Sequence, residues 1–330
     1  MDLKNWISLA RESWKENNPT LYKELNRSGK LGTALKEAAE RTYSEIAELE
    51  AQGHSPQDAW EMTREKYLLL PAEEMPDEVE NIMAAGFDGL TTALTPEHRR
   101  LAEKHGLRHI LGFISTDDPA EFEKLIRAQK ESGAVQINVQ MDNHDTPPAL
   151  ATKHWLQMER AAEKVGGVVV SLEVHRDCCT ETPEKTYEIA DRYHRATGRL
   201  IKMNFDFSHL AIVKHLGPDN YISRLLDHPE LVQNSEQVHF RPFNGHHCQV
   251  PVTHKGALTP EVKSYLVFVE ALMALWKKSA ANKNKTMFAC PEMGPYWAGG
   301  AGYNITGLPP AWTDAAVLRG ELQKAWNRAK

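Results

Sequence analysis

Residues 167–175, GVVVSLEVH, and 200–209, LIKMNFDFSH, decide the fold. Each is a short Val/Ile/Leu/Met/Phe-rich run ending in an acidic residue and a histidine, and PEKTYEIADRYHRATG (183–198) lies between them with apolar residues at helical spacing. An apolar strand, an amphipathic helix and a second apolar strand make a parallel pair covered on both faces.

The same alternation extends outward. GFDGLTTAL (86–94), LRHILGFIS (107–115), AVQINVQM (134–141), QVHFRPF (237–243) and KTMFACPEM (285–293) read as further strands. TPEHRRLAEKHG (95–106), PAEFEKLIRAQKESG (119–133) and TKHWLQMERAAEKVG (152–166) read as the intervening helices. KYLLLPA (66–72) is a weaker first strand, equally readable as the last turn of the preceding helix, which leaves seven clear strands. Eight strand–helix units closing on themselves make a barrel of about 250 residues. The expected fold is therefore α/β, a (β/α)8 TIM barrel over residues 66–330 with an N-terminal helical extension over residues 1–65. The competing doubly wound sheet lacks a GxGxxG after an early strand.

The extension reads as helix throughout. LGTALKEAAERTYSEIAELEAQG (31–53) has helical periodicity, and Ser55, Pro56 and Asp58 supply an N-cap, an N1 proline and a first-turn acid. No cluster of histidine, cysteine or paired carboxylates stands out there, so it reads as an accessory module. Met75-Pro76 marks the seam between the two composition regimes and suits a fusion point.

Composition narrows the function classes. A net charge of −6 shows no basic excess, so a nucleic-acid partner is not expected. The start lacks the apolar core of a signal peptide and no uncharged apolar run approaches a membrane span, so the expectation is a cytoplasmic protein with no membrane partner. Four cysteines without CxxC spacing read as reduced thiols rather than a disulfide framework. A homo-oligomer is compatible with the sequence.

In a parallel barrel the C-terminal strand ends line the mouth. The early strands offer mostly neutral groups there, Thr92, Ser115, Thr116 and Gln140, followed by Asp142 and His144. The later ones offer Glu173 and His175, Asp206 and His209, His239 and Arg241, and Glu292. Three carboxylates at one rim are costly without a cation to offset them. Mixed carboxylate and imidazole donors suit one divalent ion, Mn²⁺ foremost, with Co²⁺, Mg²⁺, Zn²⁺ and Fe²⁺ as alternatives. Each residue alone also has a structural reading: Glu173 as partner of Arg176, His209 as a helix cap, His239 as a satisfied half-buried histidine.

EVHRD (173–177), NFDFSHL (204–210), QVHFRPF and CPEMGP (290–295) together resemble the metal-site signatures of the xylose-isomerase-like TIM barrels, which include sugar-phosphate isomerase/epimerases, ketose 3-epimerases and endonuclease-IV-type nucleases. The resemblance covers residues 75–330. It implies that Glu173, Asp206, His239 and Glu292 hold the metal and that Glu173 and Glu292 are the catalytic acid/base pair. They would exchange protons with a carbon next to a carbonyl through an enediolate, and His209 would contact the substrate. The implied function is a divalent-metal-dependent isomerase or epimerase of a sugar, sugar phosphate or keto-polyol, with a small carbohydrate-like substrate. Alternatives are a metal-dependent lyase or dehydratase on a keto-sugar, an endonuclease-IV-like phosphodiester hydrolase and a non-catalytic binding barrel. The hydrolase reading is disfavoured because TTAL and FIST carry no histidine at the strand ends.

The stretch after His239 departs from the epimerase pattern. RPFNGHHCQVP (241–251) is longer and brings Arg241, His246 and His247 beside the site. With His175 and His209 these are the candidate substrate contacts; His246 and His247 read equally as exposed loop residues or as ligands of a second ion. PEVKSYLVFVEALMALW (260–276) adds a helix before Glu292, and GPYWAGGAGYNITGLPPAWTDA (294–315) suits a lid or a sugar-stacking surface. Residues 1–74 carry a separate, weaker resemblance, through ENNPTLYKELNRSGKL and REKYLLLPAEE, to TnpV-type helical proteins of mobile elements, which implies no chemistry.

Overall fold

The computed structural model describes residues 3–70, 78–294 and 311–330, and the chain divides into two compact units, Met1–Pro76 and Asp77–Lys330. Among the described residues the first unit holds four helices, α1 (Leu3–Asn17), α2 (Pro19–Arg27), α3 (Leu31–Ala51) and α4 (Pro56–Tyr67). Its core is Trp6, Ala10, Trp14, Leu31, Leu35, Ala38, Ala39 and Leu68. Ser55 caps α4 as its sequence indicates, the Asp58 amide donating to the Ser55 Oγ at 3.1 Å.

The expected strand at KYLLLPA does not form over its described part. Lys66 and Tyr67 close α4, Leu68 is fully buried in the helical core, and Leu69 and Leu70 pack against the same cluster. Those leucines complete a helical core, so their apolar run carries no strand register. Residues 71 and 72 lie outside the described residues.

The second unit alternates strands and helices in this order: α5 (Glu78–Ala84), β1 (Gly89–Thr92), α6 (Pro96–His105), β2 (His109–Thr116), α7 (Phe122–Glu131), β3 (Gln136–Met141), α8 (Pro148–Val165), β4 (Val169–Val174), α9 (Pro183–Thr197), β5 (Met203–Asp206), α10 (Phe207–Val213), α11 (Tyr221–Leu225), α12 (Pro229–Asn234) and β6 (Gln237–His239). A short hairpin, β7 (Thr253–His254) and β8 (Ala257–Leu258), leads to α13 (Pro260–Lys277), β9 (Phe288–Cys290) and α14 (Ala311–Arg328). The main sheet runs β1-β2-β3-β4-β5-β6-β9, every pair parallel. The result is a nearly closed seven-stranded parallel barrel with alternating helices, one strand short of the expected eight. The two sheet ends approach each other: the His109 ring at the start of β2 meets Phe288 at the start of β9 edge-on, with centroids 5.4 Å apart.

The strands differ from their sequence reading in one respect that matters for the site. They read as continuous apolar runs, yet β3 to β6 alternate. Ile137, Val139, Met141, Val170, Leu172, Val174, Met203, Phe205 and Val238 join the apolar cluster beneath the helices, with Trp155 of α8 and Phe268 of α13. The alternate positions, Gln136, Asn138, Ser171, Glu173, Asn204, Asp206, Gln237 and His239, are buried and polar. Gln136 Nε2 bonds to Ser171 Oγ on the neighbouring strand at 3.3 Å, and Gln237 Nε2 of β6 reaches Thr91 Oγ1 of β1, across the interior, at 3.4 Å. Side chains two apart on a strand share a face, so one face of β3–β6 packs under helices and the other is polar. A barrel interior is ordinarily filled by branched apolar residues; on β3–β6 buried polar side chains take those positions instead.

At the N-terminal end of β6, Glu236 takes Lys202 at 2.7 Å and Lys285 at 3.5 Å. Burial pushes its pKa up, but the hydrogen bond and charge of Lys202 outweigh that, and the pKa is lowered. A lowered carboxylate stabilises the fold above its unfolded pKa and loses that contribution as pH falls. Glu236→Gln is therefore expected to cost about 1 kcal/mol at pH 7 and progressively less as pH falls below the unfolded carboxylate value, read from urea unfolding across that range.

Candidate metal centre

The C-terminal ends of β4, β5, β6 and β9 build one cluster. Glu173 lies in β4, Asp206 ends β5, His239 ends β6 in register with Asp206, and Glu292 follows β9. Glu173 and Asp206 are fully buried and His239 is nearly so, while the Glu292 side chain keeps 34% of its exposure.

His239 Nδ1 stands 3.0 Å from Glu173 Oε1 and 2.8 Å from Glu292 Oε2. These contacts are short, yet none of the three atoms has an in-line hydrogen-bond partner among the described residues. Buried polar atoms ordinarily pair. Three lone-pair donors that crowd together without bonding one another converge on a common point. They are the one trio of acidic, imidazole or thiol donors among the described residues whose ligand atoms all lie within 4.8 Å of each other. The donors fit a divalent cation, which would offset the crowded charge.

The neighbours orient these donors. Asn138 Nδ2 donates to Glu173 Oε2 at 2.7 Å, which turns Oε1 toward His239. Thr180 Oγ1 donates to the Glu173 carbonyl at 2.5 Å and accepts from the His175 amide at 3.2 Å, pinning the backbone just past β4. Gln249 and Gly294 exchange hydrogen bonds of 3.2 and 2.9 Å, tying the chain beyond Glu292 to the loop after β6.

Asp206 stands outside the trio. Its Oδ1 accepts from the Ser208 amide at 3.0 Å, capping α10, and its Oδ2 lies 3.2 Å from both His209 Nε2 and Arg241 NH2. The spacing Asp206-x-x-His209 thus has a local cause: a helix that starts on its cap brings the third residue back over it. Arg241, 5% exposed, also pairs with Glu292 Oε1, so one guanidinium bridges the two carboxylates.

Electrostatics follow the geometry. Burial opposes charge on both acids, but Arg241 and His209 hold the Asp206 carboxyl well below the usual range, and His239 and Arg241 hold Glu292 at about 2. Burial lowers His239, yet the charges of Glu173 and Glu292 dominate and raise it well above the ordinary histidine value. His175 is lowered, by burial first and then by His209, whose ring lies 4.4 Å away.

The remaining expected substrate contacts divide. His175, His209 and Arg241 border the cluster. His246 and His247 are exposed, and their backbone amides donate to Asn244 Oδ1 at 2.9 and 2.8 Å. Gly245 seats that loop: a Cβ there would meet the Leu216 carbonyl at 2.6 Å. The aromatic and glycine-rich stretch over 295–310 lies outside the described residues. The amides Asn138, Asn204 and Gln237, which touch the proposed ligands, escaped the sequence reading; the signal was the period-two polarity of QINVQM, MNFD and QVH.

Comparison with protein-family models, with curated proteins and with solved structures finds no match to this chain. The fold and the donor set therefore carry the assignment. No helix among the described residues is long and apolar enough to cross a membrane.

Asp206→Asn is expected to destabilise the barrel by about 3–5 kcal/mol in urea unfolding, because Arg241 and His209 lose a buried anion. Glu173→Gln is expected to weaken Mn²⁺ binding more than roughly tenfold in calorimetric titration. Equal metal affinity in Glu173→Gln and the wild type would remove Glu173 from the centre.

Proposed function

We propose that the barrel is a divalent-metal-dependent isomerase or epimerase of a sugar-like ketose, sugar phosphate or keto-polyol, working by proton transfer through an enediolate. The observation that carries the reading is the convergence of Glu173 Oε1, His239 Nδ1 and Glu292 Oε2 at the C-terminal mouth of a parallel barrel, where such folds place their chemistry. In this reading Glu173, His239 and Glu292 hold the ion, Mn²⁺ foremost, and Asp206 is the fourth ligand. Asp206 becomes available as Arg241 leaves it.

The bound ion would polarise the substrate oxygens and offset the negative charge that develops on them. The chain's own residues do the rest. Glu173 and Glu292 both reach His239 Nδ1, and in this reading they would serve the two faces of a substrate carbon bound beside them. One takes the proton from the carbon beside the carbonyl, the C–H pair moves into the carbon–carbon bond, and the carbonyl pair moves onto oxygen. In an epimerase the other returns a proton to the opposite face of the same carbon as the oxygen pair re-forms the carbonyl. In an isomerase the proton goes to the former carbonyl carbon, while the hydroxyl on the first carbon passes its proton to the former carbonyl oxygen and becomes the new carbonyl. Arg241 occupies Glu292 Oε1, so Glu292 acts as a base only once that guanidinium has turned onto a substrate oxygen. His175 and His209 line the same rim and supply hydrogen bonds to hydroxyls. A lyase that expels a β-substituent from the same enediolate uses the same groups and is the second product class to score.

The test is a panel of ketoses and keto-polyols incubated with the Mn²⁺-loaded protein in D₂O and followed by NMR. Deuterium is expected at the carbon beside the carbonyl, lost with chelator and restored by Mn²⁺. Glu292→Gln is expected to abolish the exchange with an unchanged circular dichroism spectrum. Full exchange in that variant, or in chelator, defeats the proposal.

A further inference from the structure

Two residues before each of two proposed ligands, on the same strand face, stands a buried amide: Asn204 before Asp206 and Gln237 before His239, both fully buried. Both reach the far side of the His239 ring. Asn204 Nδ2 lies 2.9 Å and Gln237 Nε2 3.2 Å from His239 Nε2. The oxygens of the same two amides, Asn204 Oδ1 and Gln237 Oε1, have no hydrogen-bond partner among the described residues.

That arrangement aims two amino groups at one ring nitrogen and leaves two buried carbonyl oxygens unbonded. A ring nitrogen has one in-plane lone pair and satisfies one linear donor. The oxygen and nitrogen of an amide are interchangeable by a half-turn, and only the surrounding network decides between them. With the half-turn made, both oxygens face Nε2 and share its single proton in a three-centre bond. The Gln237 oxygen then also stands where Thr91 Oγ1, now 3.4 Å from Gln237 Nε2, donates to it.

We propose that Asn204 and Gln237 are positioning residues that accept the Nε2 proton of His239 and so present its Nδ1 lone pair between Glu173 and Glu292. The inference rests on the metal reading for its consequence, though the orientation of the amides is a property of the metal-free chain as well. A metal-bound ring and a doubly protonated ring both carry a proton on Nε2, and both need an acceptor there. Only a neutral ring protonated on Nδ1 is served by two amino groups, and that ring has no lone pair facing the carboxylates. Partners of this kind fix the ring tautomer and its plane, and removing them typically weakens a metal site by roughly ten- to a hundredfold. On the other flank Asn138 does the corresponding work for Glu173, holding Oε2 so that Oε1 faces inward.

The experiment is two-bond ¹H–¹⁵N correlation NMR of the full chain with ring-labelled histidine, metal-free and Zn²⁺-loaded. His239 is identified among the fifteen histidines by the signals lost in His239→Gln. A protonated Nε2 in both states is expected; a neutral ring protonated on Nδ1 overturns the proposal. In calorimetric titration with Zn²⁺, Asn204→Leu and Gln237→Met are expected to weaken binding by roughly ten- to a hundredfold. Asn204→Asp and Gln237→Glu, which keep an acceptor and lose the donor, are expected to hold wild-type affinity. Equal losses in the acidic and apolar variants, with all four melting cooperatively, overturn it. A wild type that binds no Zn²⁺ removes the metal reading, while the ring pattern of the metal-free chain still decides which way the amides face.

Discussion

Negative charge that cannot be diluted by water governs the mouth of this barrel. Glu173 and Asp206 are fully buried, and Glu292 is close enough to both to share partners with each. Three carboxylates against the single guanidinium of Arg241 leave two negative charges in a poorly solvated space. A divalent cation would balance them, and the uncompensated charge raises the pKa of His239 despite its burial. The same deficit explains the position of Arg241. It stands on both Asp206 and Glu292, as one buried cation shared by a buried anion and a partly exposed one.

The architecture that delivers these groups is a consequence of strand periodicity. Alternate residues of β3–β6 pack under the helices through Ile137, Leu172, Phe205 and Val238, and the intervening residues form a polar file that ends in Glu173, Asp206 and His239. The file is a scaffold as well as a lining. Asn138 fixes the Glu173 carboxylate and Asn204 and Gln237 meet the His239 ring, so the orientation of these side chains is built into the sheet rather than left to loops. Asp206 shows how one side chain serves two levels at once. One oxygen starts a helix and the other faces Arg241 and His209.

Much of the fold was legible because it rests on local patterns. The helices, the seven strands of the barrel and the Ser55 cap follow from periodicity and capping chemistry. KYLLLPA was not legible, since three consecutive leucines suit a strand as well as a helix end. The partner that resolves the ambiguity, a core containing Trp6 and Leu35, lies far away in sequence. At the site, three of the four residues implied by the resemblance come together in space; the fourth, Asp206, is drawn to a cation that the sequence placed only nearby.

The sequence by itself determined which residue types stand at the strand ends and that their charges need neutralising, because strand period and the position of an acid after an apolar run are local facts. Only the tertiary structure decided which of those acids face one another, which one Arg241 and His209 take, and which buried amides surround His239. Those outcomes depend on the register between strands and on side-chain directions across the barrel, and neither quantity is written in any single stretch of chain.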